Sequence, residues 1–520
     1  MHENRETSMA SERPPVPDRP EQAQSRTAGM HAREESDSGT VPMNQPNKGG
    51  PPLAEAGEGR PGINENIAPS STRSTQSGKS VSQGLRGVRQ RARDNKQEQF
   101  TALLHHLTVD LLRESYFALQ RDAAPGVDGM TWKQYGETLE ERLTSLHSEI
   151  HRGAYRAQPS RRVYIPKADG RQRPLGIAAL EDKVVQQAVV TILNQIYEVD
   201  FRGFSYGFRP GRSPHQALDA LDVGIRRKRV NWVLDADIRG FFDNMSHEWT
   251  LKFVEHRVAD PRILRLIRKW LQAGVSEEGQ WSETKMGTPQ GAVISPLLAN
   301  IYLHYVCDLR VQAWRDKVAG GNLVVVRYAD DLVVGFQDRA DAERFLKQFR
   351  ERLAKFGLEL HPEKTRLIEF GRFAALNRKR RGEGKPETFT FLGFTHYCGR
   401  TRNGSFTIWR QTASKRVRAK LKEIQQTLRA RMHEPVGKVG EWLRRVVNGY
   451  YLYHAVPGNL SSLGVFRYRL CRMWRHVLRR RSQKRRLNWE RLNRLFERWL
   501  PHPRVLHPYP SVRFDATHRR

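Results

Sequence analysis

Two adjacent carboxylates, Asp330 and Asp331, constrain this sequence more than any other feature. They end a Tyr-Ala-Asp-Asp run that begins at Tyr328 and lies between two short β-branched runs, 323–327 and 332–336. Such runs on either side of a four-residue break predict a β-hairpin with both carboxylates at its tip. Like charges this close raise each other's pKa or recruit a cation, and carboxylate oxygens suit Mg²⁺. An ordinary Asp-Asp turn also fits these residues, so a third carboxylate has to decide.

A second apolar run, 231–238, predicts a strand that carries Asp235 and Asp237. If this strand lies beside the hairpin, three carboxylates meet and can hold two metal ions for phosphoryl transfer. One ion activates the attacking hydroxyl, and the other neutralises charge on the leaving group. Because Asp235 and Asp237 are two residues apart, they share a face of the strand, and alternation alone does not choose between them.

The run Asp-Ile-Arg-Gly-Phe-Phe-Asp from Asp237, taken with Tyr-Ala-Asp-Asp, resembles the active site of reverse transcriptases, specifically those of group II introns. The resemblance implies that Asp237, Asp330 and Asp331 are catalytic and hold two Mg²⁺ ions, for which Mn²⁺ can substitute. It implies an α+β fold, a right-hand polymerase with fingers and palm over 95–400 and an α-helical thumb over 401–500. A Gly-Thr-Pro-Gln-Gly run from Gly287 lies between the two blocks, as in the family.

The same resemblance implies contacts with the incoming nucleotide and the primer. A basic stretch predicts two strands, 161–167 and 173–177, in the position of the fingers, although a merely solvated basic hairpin fits as well. Residues 389–394 alternate like a strand and resemble the element that grips the primer, which implies contacts by Leu392 and Gly393. Phe242 is implied to be the gate that rejects a ribose 2′-hydroxyl. The implied nucleotide contacts are Lys167, Arg173, Phe242, Gln290 and Lys364, the last of which also fits a plain surface lysine.

The formal net charge of +33 over 520 residues predicts a polyanionic partner, because charge this one-sided destabilises a compact chain unless it is neutralised. Residues 401–520 alone hold 29 Lys and Arg against 6 Asp and Glu. Helical periodicity over 414–432, 436–453 and 462–480 predicts a basic helical bundle there. The run from Arg444 to Tyr453 resembles the maturase segment, domain X, which doubles as the thumb; a thumb that holds only the primer–template duplex is the alternative.

Arginines interleaved with aromatic rings suit RNA, whose phosphates and unpaired bases they contact. The loop 203–213 has this composition and resembles the corresponding block of the family, although its aromatic rings fit a packed core as well. The residues predicted to bind RNA are Arg209, Arg212, Arg444, Arg445, Tyr450 and Tyr451.

Residues 1–94 are rich in Pro, Gly, Ser and charge, with few apolar positions, and we predict a disordered tail there. A helix is predicted over 99–119, and 501–520 is predicted to be a short basic tail. Apolar runs fall short of the roughly 18–20 residues that a membrane span needs, and the start lacks a signal-peptide pattern, so we expect a soluble cytoplasmic protein without a membrane partner.

The three cysteines, Cys307, Cys398 and Cys471, are too far apart in sequence to form a zinc site. Many group II intron proteins end in a histidine-asparagine-histidine endonuclease with paired cysteines. The resemblance therefore implies a bacterial-type protein that lacks this domain and does not cut the second DNA strand.

The function implied by the resemblance is RNA-directed DNA polymerisation, together with binding of the group II intron RNA to assist splicing and retromobility. The implied partners are the intron RNA, a DNA target, an RNA template–primer and dNTPs. One alternative is a domesticated intron-derived reverse transcriptase that serves defence or diversity generation. Another is an RNA-binding splicing cofactor without polymerase activity, in which damage to the three carboxylates would be expected; here all three are intact.

Overall fold

The structure, a computed structural model, describes residues 76–166, 172–277, 279–481 and 488–518. The strands in these ranges are β1 Ser160–Pro166, β2 Gln172–Ile177, β3 Trp232–Ala236, β4 Val275–Glu277, β5 Gln280–Ser282, β6 Leu323–Tyr328, β7 Asp331–Phe336, β8 Arg366–Glu369, β9 Phe389–Phe391, β10 Phe394–Arg400 and β11 Phe406–Thr412. They form three sheets.

The helices in the same ranges are α1 Gln76–Asp94, α2 Val109–Ala118, α3 Trp132–Gly136, α4 Leu139–Arg152, α5 Leu180–Asp200, α6 Pro214–Arg227, α7 His247–Glu255, α8 Pro261–Gln272, α9 Ser295–Leu303, α10 Leu309–Lys317, α11 Arg339–Ala354, α12 Ala374–Arg380, α13 Ser414–Ala430, α14 Val436–His454, α15 Leu460–Arg480, α16 Trp489–Trp499 and α17 Pro510–Thr517. A π-helical segment, His304–Asp308, joins α9 to α10. Among these described helices, none has both the length and the apolar character needed to cross a bilayer.

The central sheet carries the predicted carboxylates and is antiparallel throughout, in the order β6-β7-β3-β8. Its strands are buried on both faces, so alternate residues enter two different cores. Val334 of β7 packs on the side of α5, α9 and α11, whereas Val333 packs on the opposite side against α6. Burial of both faces fixes the register, because a slip by one residue would exchange them. The predicted hairpin is confirmed, since β6 ends at Tyr328 and β7 begins at Asp331.

A second sheet, in the order β2-β1-β4-β5, lies where the fingers were predicted. The two basic strands pair antiparallel as expected, with Arg173 opposite Ile165, and residues 167–171 between them lie outside the described part. This sheet approaches the loop before α9 closely: the N–H of Gly176 donates to the carbonyl of Gln290 at 2.8 Å. A Cβ at Gly176 would lie 2.7 Å from that of Pro289, so glycine permits the approach.

The third sheet, in the order β11-β10-β9, leads into the C-terminal bundle. The three predicted helices are confirmed as α13, α14 and α15, with ends that differ by at most two residues from the predicted ranges. With α16 they enclose a separate core that includes Leu443, Phe466, Trp474 and Phe496. The basic residues of this region therefore lie around a well-packed apolar centre.

The disordered tail predicted from composition extends too far along the chain. Residues Gln76–Asp94 form α1, although 1–94 was predicted to be disordered. Apolar residues are few there, but Leu85, Val88 and Ala92 recur at helical spacing and are buried against the protein. The positions of these residues outweigh the polar composition of the segment.

The helix predicted over 99–119 is confirmed only from Val109 onwards, as α2. Before it, the chain makes a 3₁₀ turn, Leu104–His106. The fully buried carboxylate of Asp260 accepts from the N–H groups of Leu103 and Leu104 at 2.7 and 2.9 Å. A side chain distant in sequence thus accepts the N–H groups at the start of the turn. Sequence periodicity does not reveal this contact.

The segment predicted to be a short basic tail, 501–520, contains α17, which packs on α6. The buried carboxylate of Asp219 on α6 binds Arg513 of α17 at 2.5 Å and Arg410 of β11 at 3.1 Å. Arg227 and Asp515 form a further two-pronged pair across the same contact. The chain therefore leaves the C-terminal bundle and returns to the helix behind the central sheet.

Histidines fill the junction between α6, α14 and the segment before α17. The Nε2 of His215 donates to the carbonyl of Tyr453 at 2.8 Å, and its ring stacks on that of His507 with centroids 3.9 Å apart. Burial lowers the pKa of His215 to about 3, with further lowering by His507, Arg513 and Arg410. Burial also lowers the pKa of His454, on the same junction, well below its ordinary value. These imidazoles are therefore neutral in the folded protein near pH 7.

We expect the free energy of unfolding to fall as the pH drops below about 6.5, because the unfolded chain protonates His215 and the folded chain resists it. The stabilisation by neutral His215 is fully present at pH values above the ordinary pKa of histidine. It is lost as the pH falls toward the lowered pKa of the folded state. It amounts to about 2 kcal/mol between pH 7.5 and pH 5. Urea unfolding at both pH values measures it, and His215→Gln should show the smaller change.

The control is His433→Gln, at an exposed position of the C-terminal bundle, which should change with pH as the unmodified protein does. An equal pH dependence of unfolding in His215→Gln and the unmodified protein would contradict the assignment.

Candidate active site

The predicted carboxylates come together at one end of the central sheet. The register of β3 with β7 pairs Ala236 with Leu332, so one residue further along Asp237 and Asp331 are neighbours. Asp330 lies between β6 and β7, in the turn that follows Ala329, whose φ of 54° lies in the left-handed region. Asp237 is 5% exposed, and Asp330 and Asp331 are half-buried. The hairpin and the neighbouring strand thus place three carboxylates at one edge.

Electrostatics identify which groups face each other. Burial and the charge of Asp237 raise the pKa of Asp330 to about 6, while the charges of Arg173 and Lys364 act in the opposite direction. Lys364 also forms an ion pair with Asp237, with Nζ 3.2 Å from Oδ2. Of the two open candidates on β3, Asp237 is therefore the one whose charge acts on the hairpin tip, and two predicted nucleotide contacts lie beside it.

A metal ion was predicted here, and the donors fit one in their chemistry. Hard carboxylate oxygens are the ligands that Mg²⁺ prefers, and the pKa of Asp330 is raised by burial and by the charge of Asp237, both of which a bound divalent cation would offset. In the part of the chain that the structure describes, however, no three His, Cys, Asp or Glu side chains converge closely enough to hold a metal. The carboxylates are thus neighbours, with Lys364 placed on one of them.

The Gly-Thr-Pro-Gln-Gly loop closes one side of the site. The N–H of Thr288 donates to the carbonyl of Phe242 at 2.9 Å, which ties the loop to the segment after Asp237. Phe242 is half-buried, and its ring lies edge-on to that of Phe208 with centroids 6.3 Å apart. Gln290 is half-buried where this loop meets β2. Lys167 lies outside the described residues.

The predicted primer contacts form a tight turn between β9 and β10. Leu392 and Gly393 have φ values of 48° and 79°, the combination found in two-residue hairpin turns with a mirror-image twist. The Tyr453 hydroxyl donates to the Leu392 carbonyl at 2.8 Å, which fixes the turn to α14. Leu392 belongs to the same buried apolar cluster as Tyr328 and Ala329 of the β6–β7 hairpin.

Three of the six residues predicted to bind RNA have side chains that lie inside the protein. The side chain of Arg209 is 4% exposed, pairs with Glu198 at 3.0 Å and donates to two backbone carbonyls, so it supports its own loop from inside. Tyr450 and Tyr451 are buried in the core of the bundle, where Tyr450 stacks on Phe466. Composition predicted aromatic stacking, but helix α14 turns these rings inward.

The other three predicted contacts are accessible. Arg444 and Arg445 are exposed on α14. Arg212 is half-buried, with its guanidinium 5.1 Å from the centre of the Tyr206 ring and donating to the Gly203 carbonyl at 3.1 Å.

Sequence reasoning missed the buried support behind the hairpin. Arg327, directly before the Tyr-Ala-Asp-Asp run, is 1% exposed and binds the fully buried Asp308 through two hydrogen bonds of 2.7 and 2.6 Å. An arginine inside a β-branched run was the available signal, since charges are rarely buried unless paired. Apart from Ala329, its partners are at least 19 residues away along the chain. The sequence alone therefore does not identify them.

Comparisons with known proteins agree with this architecture. The family described as "Reverse transcriptase (RNA-dependent DNA polymerase)" matches residues 165–396, which include the central sheet and all three carboxylates. The chain is 35% identical to Protein YkfC of Escherichia coli over 275 residues, which cover 47% of this chain and 72% of YkfC.

Two intron proteins match the same region. The group II intron-encoded protein LtrA of Lactococcus lactis is 37% identical over 239 residues, 45% of this chain and 40% of LtrA. The 91 kDa protein in the cob intron of Schizosaccharomyces pombe is 39% identical over 178 residues, 34% of this chain and 21% of that protein. The chain thus spans less than half the length of these two relatives. On these matches and the geometry of the central sheet, the chain belongs to the reverse transcriptase family, in the group of group II intron reverse transcriptases and maturases.

Proposed function

We propose that this protein copies RNA into DNA and also binds a group II intron RNA, assisting its splicing and its retromobility. The observation that supports the polymerase role most strongly is the grouping of Asp237, Asp330 and Asp331 at the edge of a doubly buried sheet, with cations beside them. In this proposal residues 95–400 are fingers and palm, and 401–500 are the thumb and maturase domain.

Reverse transcriptases use divalent metal ions. Asp237, Asp330 and Asp331 would hold two Mg²⁺ ions here, with Mn²⁺ as a substitute. Bound there, they would supply activation of the attacking 3′-hydroxyl and charge neutralisation at the leaving pyrophosphate. The chain's own task is to hold ionised carboxylates close together on a rigid edge, and the raised pKa of Asp330 reflects the electrostatic cost of doing so.

The nucleotide would lie between this edge and the fingers. Arg173 and Lys364 both act electrostatically on Asp330, and either can offer its charge to a triphosphate. Lys364 would exchange its pairing with Asp237 for the incoming phosphates. Lys167 and Gln290 complete the proposed nucleotide contacts, and the turn at Leu392 and Gly393 would support the end of the primer.

Asp330→Asn should reduce primer extension on an RNA template by at least about 100-fold. The substitution removes a metal-binding charge and keeps the shape of the side chain. Because the folded pKa of Asp330 is raised, its ionised form opposes folding at neutral pH, so the variant should be at least as stable to urea as the unmodified protein. Extension rate, RNA affinity and urea midpoint are the three measurements, and RNA affinity should be unchanged.

Asp235→Asn, on the same strand, is the matched control and should retain extension. Loss of extension in Asp235→Asn, with near-normal rates in Asp237→Asn, would show that the other carboxylate of β3 is the ligand.

Phe242→Ala should increase incorporation of ribonucleotides relative to deoxyribonucleotides by about 10-fold or more, because the ring would otherwise fill the space of a 2′-hydroxyl. Single-nucleotide extension with matched dNTP and rNTP measures the ratio. Phe242→Tyr keeps the ring and should keep the selectivity. Unchanged sugar selectivity in the alanine variant would rule out this role.

The thumb would bind RNA through its exposed cations. Replacing both Arg444 and Arg445 by Gln should weaken RNA binding and reduce the slope of log affinity against log salt by about 1.5. Filter binding at several salt concentrations, with the RNA that copurifies from expression with native flanking sequence, gives the slope. Arg350→Gln with Lys355→Gln, two exposed cations near the end of α11, is the charge-matched control.

The identity of the copurified RNA tests the intron role itself. A dominant transcript that folds as a group II intron supports it, whereas a diffuse population of cellular RNAs supports the domesticated enzyme instead.

A further inference from the structure

The guanidinium of Arg327 lies directly beneath the catalytic hairpin, with all of its donors in use. Its five N–H groups bind Asp308 twice, Ser205 Oγ at 2.7 Å, Asn300 Oδ1 at 3.2 Å and the carbonyl of Ala329 at 2.9 Å. A guanidinium has five N–H donors in a rigid plane, so each is matched by one acceptor. Lysine offers three donors from a single point and does not reproduce this pattern.

One of these bonds acts on the catalytic turn. The Ala329 carbonyl belongs to the peptide that joins Ala329 to Asp330, and Ala329 has a positive φ of 54°, which non-glycine residues rarely adopt. Such a conformation persists only where the surroundings enforce it. The hydrogen bond from Arg327 fixes the orientation of the peptide from which the Asp330 side chain projects.

The same guanidinium fixes the neighbouring loop against the turn. Asn300, which accepts from Arg327, donates in turn to the carbonyl of Gly207 at 2.7 Å. A Cβ at Gly207 would lie 2.3 Å from the amide nitrogen of Ala329, so this loop touches the turn backbone. Backbone hydrogen bonds of 2.9 and 2.8 Å also join Arg327 to Phe204 and Tyr206. The loop 204–207 is therefore held against the turn both by the backbone of Arg327 and, through Asn300, by its side chain.

The carboxylate that balances Arg327 comes from an unusual helical segment. Asp308 ends the π-helical turn His304–Asp308, where one extra residue per turn changes the direction of the side chains that follow. Both charges are buried, at 1% and 0% side-chain exposure. A buried ion pair is weak support for stability, because apolar residues of the same volume often serve as well or better. The pair is therefore better explained by a need to fix the geometry of the turn than by a contribution to the free energy of unfolding.

We propose that Arg327 and Asp308 are positioning residues for polymerisation, which orient the Ala329–Asp330 peptide and through it the Asp330 carboxylate. This inference rests on the proposed polymerase function. Burial lowers the pKa of Arg327, but the charge and hydrogen bonds of Asp308 outweigh burial and raise it overall, with a weaker contribution from the charge of Asp330.

The chain offers a matched control in a second buried pair, Arg257–Asp200. Its side chains are 4% and 10% exposed, its charges are 3.1 Å apart, and Arg257 donates to the carbonyl of Lys96. This pair fastens the end of α1, and its contacts do not include the catalytic hairpin. Arg327→Lys and Arg257→Lys each replace a buried, carboxylate-paired guanidinium by an ammonium group.

Two measurements on the full-length protein separate positioning from stability. In single-turnover extension on an RNA template, Arg327→Lys should lower the maximal rate by about 100-fold with unchanged template–primer affinity, whereas Arg257→Lys should stay within about twofold. In hydrogen exchange of the substrate-free protein, peptides covering 327–332 should exchange about 10-fold faster in Arg327→Lys alone.

Each outcome decides between the readings. Equal loss of rate in both lysine variants, or an unchanged exchange rate at 327–332, overturns the positioning role. If Arg327→Lys does not fold, Asp308→Asn keeps the shape and one strong acceptor, and the same two measurements apply to it. If the unmodified protein extends no primer while Arg327→Lys still accelerates exchange at 327–332, the positioning of the turn stands and the polymerase function is rejected.

Discussion

The structure depends on confining negative charge at the edge of a buried sheet. Asp237 is almost fully enclosed, and its charge with burial raises the pKa of Asp330 to about 6. Carboxylates held this close tend to move apart or to take up protons. A rigid framework prevents the movement, and nearby cations reduce the uptake of protons. Burial of both faces of the central sheet prevents separation, because no strand can shift without moving two cores. Lys364 and Arg173, from segments distant in sequence, supply the cations.

The excess of positive charge is divided between two roles. The buried arginines at the supporting positions, Arg209, Arg257, Arg327 and Arg410, each pair with a carboxylate and so add little to the external field. The net charge of +33 is therefore concentrated on accessible side chains, many of them in the C-terminal bundle. Charge counted from sequence thus predicts the class of partner, but burial decides which arginine can contact it.

Local sequence patterns predicted many helices and strands correctly. Features that depend on contacts between residues distant in sequence could not be predicted in this way. The hairpin and the helices α13, α14 and α15 follow from residue periodicity within each segment. Alternation did not choose between Asp235 and Asp237; the resemblance to reverse transcriptases implied Asp237, and the register of β3 with β7 places that residue next to Asp331. Tyr450 and Tyr451 have the right chemistry for RNA but the wrong helix face.

The prediction of a disordered tail is wrong for its last part, 76–94, for a related reason. Leu85, Val88 and Ala92 lie on one stripe of α1 and pack into a core formed by residues distant in sequence. The network around Arg327 was out of reach altogether, since it joins residues from four separate segments. Such contacts depend on the assembled tertiary structure rather than on any window of sequence.

The return of α17 to α6 has a mechanical consequence. The C-terminal bundle is joined to the third sheet at its beginning through β11, is hydrogen-bonded along α14 through Tyr453 to Leu392 and to His215, and is followed by the Asp219–Arg513 contact of α17 with α6. A bundle attached at several separated points cannot swing as a free arm. Any wide separation of the bundle from α6 would have to break the contact of α17 as well, so this short helix acts as a clasp on the two parts.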